Sequence, residues 1–210
     1  MEESQVRVSC GSMCRIVIDG QYLLILNRNR RKKGYYQLSP VGGAIAVDSW
    51  ADLDGFNIDQ EKANSKDLRL YLATSQIEQF SKWFYSRENR EKDPFREIYE
   101  ELVLESQALF DLSRRDLSMR FDRVVEDQKQ TIRQGLTGQF THYFFDIFDV
   151  SFRSPDVVLR LKTAPSEAGV VLLDEAVARA GVPIDMEFDG KVRKVNIVAE
   201  YLFTDKDNTT

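Results

Sequence analysis

"REIYEELVLE", Arg96 to Glu105, sets four glutamates among ten residues and interleaves them with Ile98, Tyr99, Leu102, Val103 and Leu104. On a helix of 3.6 residues per turn, Glu97, Glu100, Glu101 and Glu105 fall at i, i+3, i+4 and i+8, along one stripe. Ile98 and Leu102 then mark the buried side. Asp93 and Pro94 supply a start signal, a capping carboxylate followed by a residue suited to the first turn. Like charges at these spacings destabilise an isolated helix by roughly 0.2–0.5 kcal/mol per pair. Basic neighbours such as Arg96 could offset that, and so could a hard divalent cation. Mg²⁺ prefers oxygen ligands, keeps several waters and needs only a few carboxylates plus substrate phosphate. From its own composition the helix reads as a solvated acidic face; its surroundings change that weighting.

Upstream, "CRIVIDGQYLLILNR" gives two apolar β-type runs joined by Asp19-Gly20, a strong hairpin signal. The basic block "RNRRKK", Arg28 to Lys33, follows. In "GYYQLSPVGGAIAV", Pro40, Gly42 and Gly43 mark a bend where backbone can approach a ligand closely. "DSWADLDGFNIDQEKANSK" is polar and unperiodic and reads as a loop, and "LRLYLA" reads as a short strand. "SQIEQFSKWFY" reads as a helix, with Ser75 and Glu78 as a capping box and Ile77, Phe80 and Phe84 on one face.

Downstream, "RFDRVVEDQ" and "QFTHYFFDIFDVSF" are expected as strands, and "VVLRLKTA" as another. "GVVLLDEAVARAG" switches from strand to a short helix, with Asp174 as cap and Gly181 as stop. "KVRKVNIVAEYLF" places Val192, Val195, Val198/Ala199 and Leu202 at helical spacing, which predicts a packed terminal helix. Hairpins interspersed with helices predict an α/β (α+β) layered fold, one domain over 1–205 with a loose tail at 206–210.

The 210 residues are 42% hydrophobic and 30% charged, a soluble-globular balance that argues against wholesale disorder. A net charge of −5 predicts no general attraction to nucleic acid or to an anionic membrane. The start, "MEESQVRVSC", has no secretory pattern and no apolar run reaches spanning length, so a cytoplasmic protein is expected. Cys10 and Cys14 read as two reduced thiols on the approach to a strand. The lone histidine, His142, shares a strand face with Phe140 and Phe144 and reads as packed.

Glu88 stands eight residues before Arg96, so the stretch reads E-x7-R-E-U-x-E-E, with Ile98 at the aliphatic position U. This resembles the box of the Nudix hydrolase family, G-x5-E-x7-R-E-U-x-E-E-x-G-U, at Glu88, Arg96, Glu97, Ile98, Glu100, Glu101 and Leu104. "YYQLSPVGG" resembles the strand and turn that lead into the box, with Gly43 at its first glycine. The sequence departs from the pattern twice. Forty-four residues separate Gly43 from Glu88 where the family has five, so 44–87 reads as an insertion splitting the box, either capping the site or forming a homodimer contact. Val103 replaces the glycine that ends the helix; a β-branched residue resists the left-handed cap, so the helix should run further or end by another device near Ser106.

The resemblance implies a Nudix-like α/β/α sandwich with a mixed sheet. It also implies Mg²⁺ or Mn²⁺ bound by Glu97, Glu100 and Glu101, with Glu88 and Arg96 orienting the loop and helix. A metal-activated water would then attack a diphosphate in a nucleotide derivative. Glu97 and Glu101 are the catalytic candidates, and Glu167, in "APSEAGVVLL", is an alternative general base to Glu97. Arg28 and Arg30 offer phosphate contacts beside Gly42 and Gly43, and Tyr35, Tyr36, Trp50 and Trp83 are candidates to stack on a base. The segment from Asp67 to Ser106 also resembles Nudix domains found beside nucleotide second-messenger synthases in bacterial anti-phage operons. Two further readings stand beside the hydrolase: a Nudix fold that senses a nucleotide without cleaving it, and an interaction protein with an acidic helix and no ligand.

Overall fold

The computed structural model describes residues 4–131, 138–188 and 190–204. The tail expected at 206–210 lies outside the described residues. Strand β1 (Gln5–Ile18) is the spine: it runs antiparallel to β5 (Arg69–Ala73) over its first half and parallel to β7 (Phe140–Phe152) along its length. Both cysteines sit inside this strand, free and buried, rather than on the approach to it. The Asp19-Gly20 turn, with both residues at positive φ, returns the chain as β2 (Gln21–Leu26), which pairs with the end of β1 only at Val17–Ile18. Beyond that point the two strands part. β3 (Gln37–Ser39) pairs with the far end of β2, while Cys14 N donates to Val41 O and Ser12 N to Gly43 O, each at 2.8 Å. The Pro40–Gly43 bend therefore lies in the fork between β1 and β2.

β4 (Ile58–Gln60) edges the sheet beside β5, and a 3₁₀ turn, Trp50–Leu53, precedes it, so the polar stretch from Asp48 to Lys66 carries structure where a loop was expected. Helix α1 is the single turn Arg28–Arg31, and α2 spans Ile77–Ser86. The start of α2 differs from the capping-box reading. Ser75 belongs to a 3₁₀ turn, Thr74–Gln76, that runs straight into the helix, and the N-cap is Gln76 without a side-chain bond. Segment 44–87 has no core of its own: Ile45, Leu53, Leu68, Phe80 and Phe84 pack with Val8 of the spine and Phe144 of β7.

α3 begins at Phe95–Tyr99 and continues as a π-helical stretch, Glu100–Glu105. Ile98 and Leu102 are fully buried, and burying each is worth roughly 1.5–3 kcal/mol. That outweighs the repulsion within the glutamate stripe, so the helix forms. They join Cys14, Ile16, Leu23, Val41 and Phe148 in the main core. β6 (Leu117–Gln130) pairs with β7, and α4 (Pro155–Lys162) packs Leu161 into the same core. The strand expected from "VVLRLKTA" is thus helical. Pro155 occupies the first turn and Asp156 favours the helix N-terminus, which short β-branched runs do not override.

β8 (Val170–Asp174) pairs with β2 and passes into α5 (Glu175–Ala180), which stops at Gly181 in the left-handed conformation, as the sequence indicated. The terminal helix expected from "KVRKVNIVAEYLF" is instead β10 (Lys191–Ile197), paired with β9 (Ile184–Phe188) and β3, then a 3₁₀ turn at Glu200–Leu202. Val195 and Ile197 are buried between exposed Lys194 and Asn196, and this period-two alternation governs the segment. The architecture is a large mixed α+β sheet with its longer helices α2, α3 and α4 on one face. No helix among the described residues is long and apolar enough to cross a membrane.

Candidate active site

Gly42 and Gly43 set the floor of the site. Gly42 has φ +148°, and a β-carbon there would stand 2.1 Å from Ser12 O. A β-carbon at Gly43 would stand 1.9 Å from Glu97 Oε2, so the glycine leaves the space that this carboxylate fills. Gly42 N donates to Glu101 Oε2 at 2.8 Å. The bend in the fork and the first turns of α3 thus clasp each other through two glutamates, the expected juxtaposition. Glu97 is buried, and Glu101 half-buried above Cys14.

Burial raises the Glu97 carboxyl to about 7; Arg96 pulls it down, while Glu100 and Glu91 push it up further. Burial likewise raises Glu101 to about 8, against the Gly42 amide and with help from Glu97, Glu105 and Glu100. A cation beside these two carboxylates would favour their ionised form and oppose that upward shift. Glu100 is not drawn in: it stands half-exposed, 3.4 Å from Arg96. Among the described residues no three His, Cys, Asp or Glu side chains are already gathered as a metal-ligand set. The donors nevertheless fit a hard cation. They are carboxylate oxygens, and the cradle around Glu97 exists only because position 43 lacks a side chain.

Arg96 is the hub. It donates to both oxygens of Glu91 at 3.1 and 2.9 Å and to Ala44 O at 2.7 Å, and lies 2.7 Å from Glu97. Glu91, not Glu88, therefore partners Arg96; it also accepts from Ala46 N at 3.2 Å, which clamps the backbone after Gly43. Glu88 is exposed, so the E-x7-R spacing picked out the wrong glutamate. The signal that would have found Glu91 is its place in the loop just ahead of the Asp93-Pro94 helix start, within reach of the first turn of α3. Asp93 does serve that start, accepting from Phe95 N at 3.0 Å. A second feature also escaped the sequence reading. Arg90, fully buried, pairs with the equally buried Asp146 of β7 at 2.8 Å and donates to Phe84 O. It pins the end of segment 44–87 to β7.

The helix ends as Val103 requires. Val103 is buried within the π-helical stretch, Ser106 N donates to Glu101 O at 2.9 Å, and the left-handed residue comes later, at Gln107 with φ +55°. π-helical turns recur at functional sites, and this one includes Glu100 and Glu101.

The remaining candidates gather at the end of β2. Arg28 and Arg30 lie on α1, capped by Asn27. Glu167 is exposed on a 3₁₀ turn, Ser166–Ala168, tied to β2 by Leu26 N donating to Gly169 O at 2.8 Å. Among the described residues no hydrogen bond or ion pair is seen between Arg28, Arg30 or Glu167 and Glu97, Glu100 or Glu101. Of the aromatic candidates Tyr35 is open, at 67% exposure. Tyr36 stacks on Phe188, Trp83 packs against Phe80, and Trp50 Nε1 donates to Ser65 O. His142 stacks on Phe144 and lies 2.6 Å from Glu126, a packed histidine as read.

The comparisons with curated proteins and with solved structures returned no match. The family model described as the SMODS-associated NUDIX domain matches residues 5–178, from the start of β1 into α5 and across both halves of the clasp. The chain belongs to the SMODS-associated NUDIX family.

Proposed function

We propose that this protein is a metal-dependent Nudix-type hydrolase that cleaves a diphosphate linkage in a nucleotide derivative, in an anti-phage signalling setting. The observation that carries the reading is the pair Glu97 and Glu101, held against Gly42 and Gly43 with too little positive charge to balance them. Glu97 and Glu101 would hold Mg²⁺ or Mn²⁺, with Glu100 completing the set on release from Arg96. The bound cation would supply charge neutralisation at the diphosphate and an acidified water. The Gly42 amide fixes the direction of Glu101, and Arg96 fixes Glu97 while tying the helix to the backbone at Ala44. Glu97 stands in the clasp against Gly43, whereas Glu167 is exposed on its own turn, which favours Glu97 over Glu167 as the general base. Arg28 and Arg30, on the turn that follows β2, would be candidates for further phosphate contacts.

The test is a panel of nucleoside diphosphate derivatives incubated with the full chain and Mg²⁺ or Mn²⁺, with release of nucleoside monophosphate or phosphate measured. Turnover that disappears in Glu101→Gln supports the proposal. Tight binding with the ligand recovered intact would replace it by the sensing reading.

A further inference from the structure

The opposite face of the sheet carries a charged cluster that the carboxylate site does not use. On β1, Cys14 and Ile16 face the helical core, so Arg15 faces away from it. The register of β1, β7 and β6 sets Arg15, Asp149 and Arg120 in one row. Asp149 accepts from Arg15 Nε at 2.6 Å and from Arg120 Nη2. Just along β6 the ladder slips between Phe121 and Arg123. Bulges re-aim side chains, and this one lies at Asp122, which holds Arg15 at 3.2 Å and also Arg123. Arg123 in turn donates to the carbonyls of Tyr201 and Leu202, at 3.1 Å each. From α5, Arg179 lies over the Phe203 ring at 4.6 Å and pairs with Glu175. The four guanidinium groups line an open cleft of about 420 Å³.

Four arginines share three carboxylates, Asp122, Asp149 and Glu175, which leaves an excess of one positive charge on a chain whose net charge is −5. Each guanidinium has five N–H donors, and among the described residues Arg120 and Arg179 each commit only Nη2 to a carboxylate. Their Nε and Nη1 groups are available, on side chains already oriented by ion pairs. Planar guanidinium forks match phosphate oxygens two at a time. The cleft volume falls within the range of small-molecule sites, roughly 300–1,000 Å³. A nucleic-acid polymer would need a longer run of unpaired cations. We infer that this cleft is a second ligand site, distinct from the carboxylate site, which takes a phosphate-bearing small molecule on Arg15, Arg120 and Arg179.

The experiment measures binding of inorganic phosphate and of adenosine 5′-diphosphate to the full chain by calorimetry, in EDTA so that the carboxylate site holds no metal. Sodium chloride at matched ionic strength is the blank. Saturable binding is expected, weakened about tenfold or more by Arg120→Gln and again by Arg179→Gln, and unchanged in Glu101→Gln. Both arginines are exposed enough for the variants to fold, and circular dichroism checks that. Equal affinity for the two probes supports a site that reads the phosphoryl group alone; tighter binding of the diphosphate supports a nucleotide source. Absence of binding to either probe, or binding that survives the double arginine variant, overturns the inference. Binding lost in Glu101→Gln assigns the ligand to the other site, and overturns it too.

Discussion

On the helical face of the sheet Glu97 shares Arg96 with Glu91 and Glu100 while Glu101 accepts from the Gly42 amide, whereas on the other face Arg15, Arg120 and Arg123 are matched with Asp122 and Asp149. Adjacent residues of the same strand, Cys14 and Arg15, point into these two environments. The difference shows how one sheet can present two opposite electrostatic environments. Carboxylates are gathered with little positive charge beside them at the proposed cation site. Guanidinium groups are aligned by carboxylates, with a small excess left over, at the proposed anion site. The helical face also contains its own counterexample, since Arg90 and Asp146 are buried, paired and closed to ligands.

That counterexample gives the largest expected effect. Arg90→Ala leaves the buried Asp146 with only the more distant Arg87, at 3.6 Å, and breaking such a buried pair typically costs about 3–5 kcal/mol. Urea unfolding should show a loss on that scale. A loss under about 1 kcal/mol would mean that segment 44–87 is held by its apolar contacts alone. Next comes Glu101→Gln, which keeps the shape and the Gly42 contact but removes the charge. Turnover should fall by about a hundredfold or more, the scale of losing one aligned electrostatic group, while the fold persists. Gly43→Ala forces Glu97 out of its cradle, and metal-dependent activity should fall by about tenfold or more with KM for the metal raised.

The pH dependence separates the faces. Glu97 and Glu101 hold protons in the folded chain at pH values where the unfolded chain, near the ordinary 4.5, has released them. Stability of the metal-free protein should therefore fall as pH rises from about 5 to 8, and Glu101→Gln should flatten that slope. A slope of the opposite sign in metal-free buffer would contradict the uncompensated-pair account. The smallest effect belongs to the arginine face: Arg120→Gln removes one exposed pair and should change stability by less than about 1 kcal/mol.

The parts of this molecule legible in its sequence are those where one signal dominates. The Asp19-Gly20 hairpin, the Asp93-Pro94 helix start and the Asp174/Gly181 boundaries of α5 each rest on local backbone chemistry that tertiary contacts have no reason to override. The clasp between the diglycine and Glu97 and Glu101 was legible because fixed residue types at fixed spacing have few explanations. The failures share a cause. In "KVRKVNIVAEYLF" valines fit both a period of two and a helical period, and pairing with β3 and β9 decided for strand. In "VVLRLKTA" β-branched residues suggested a strand, while Pro155 and the face made by Val157, Val158 and Leu161 fitted a helix on the core. Glu91 was hidden because Glu88 satisfied the spacing, although a loop residue is placed by where its backbone returns, here against Ala46, rather than by its count from Arg96. The arginine cleft draws on β1, β2, β6 and α5, far apart in the chain, and no local pattern announces it.

The most direct test of the cation site is the thermal unfolding midpoint of the full chain at pH 8, with EDTA and then with increasing Mg²⁺ or Mn²⁺. A ligand that binds only the folded state must raise the midpoint with its concentration. The wild type should show such a rise and Glu101→Gln should show little or none. Identical midpoints with and without either metal in the wild type would contradict the account.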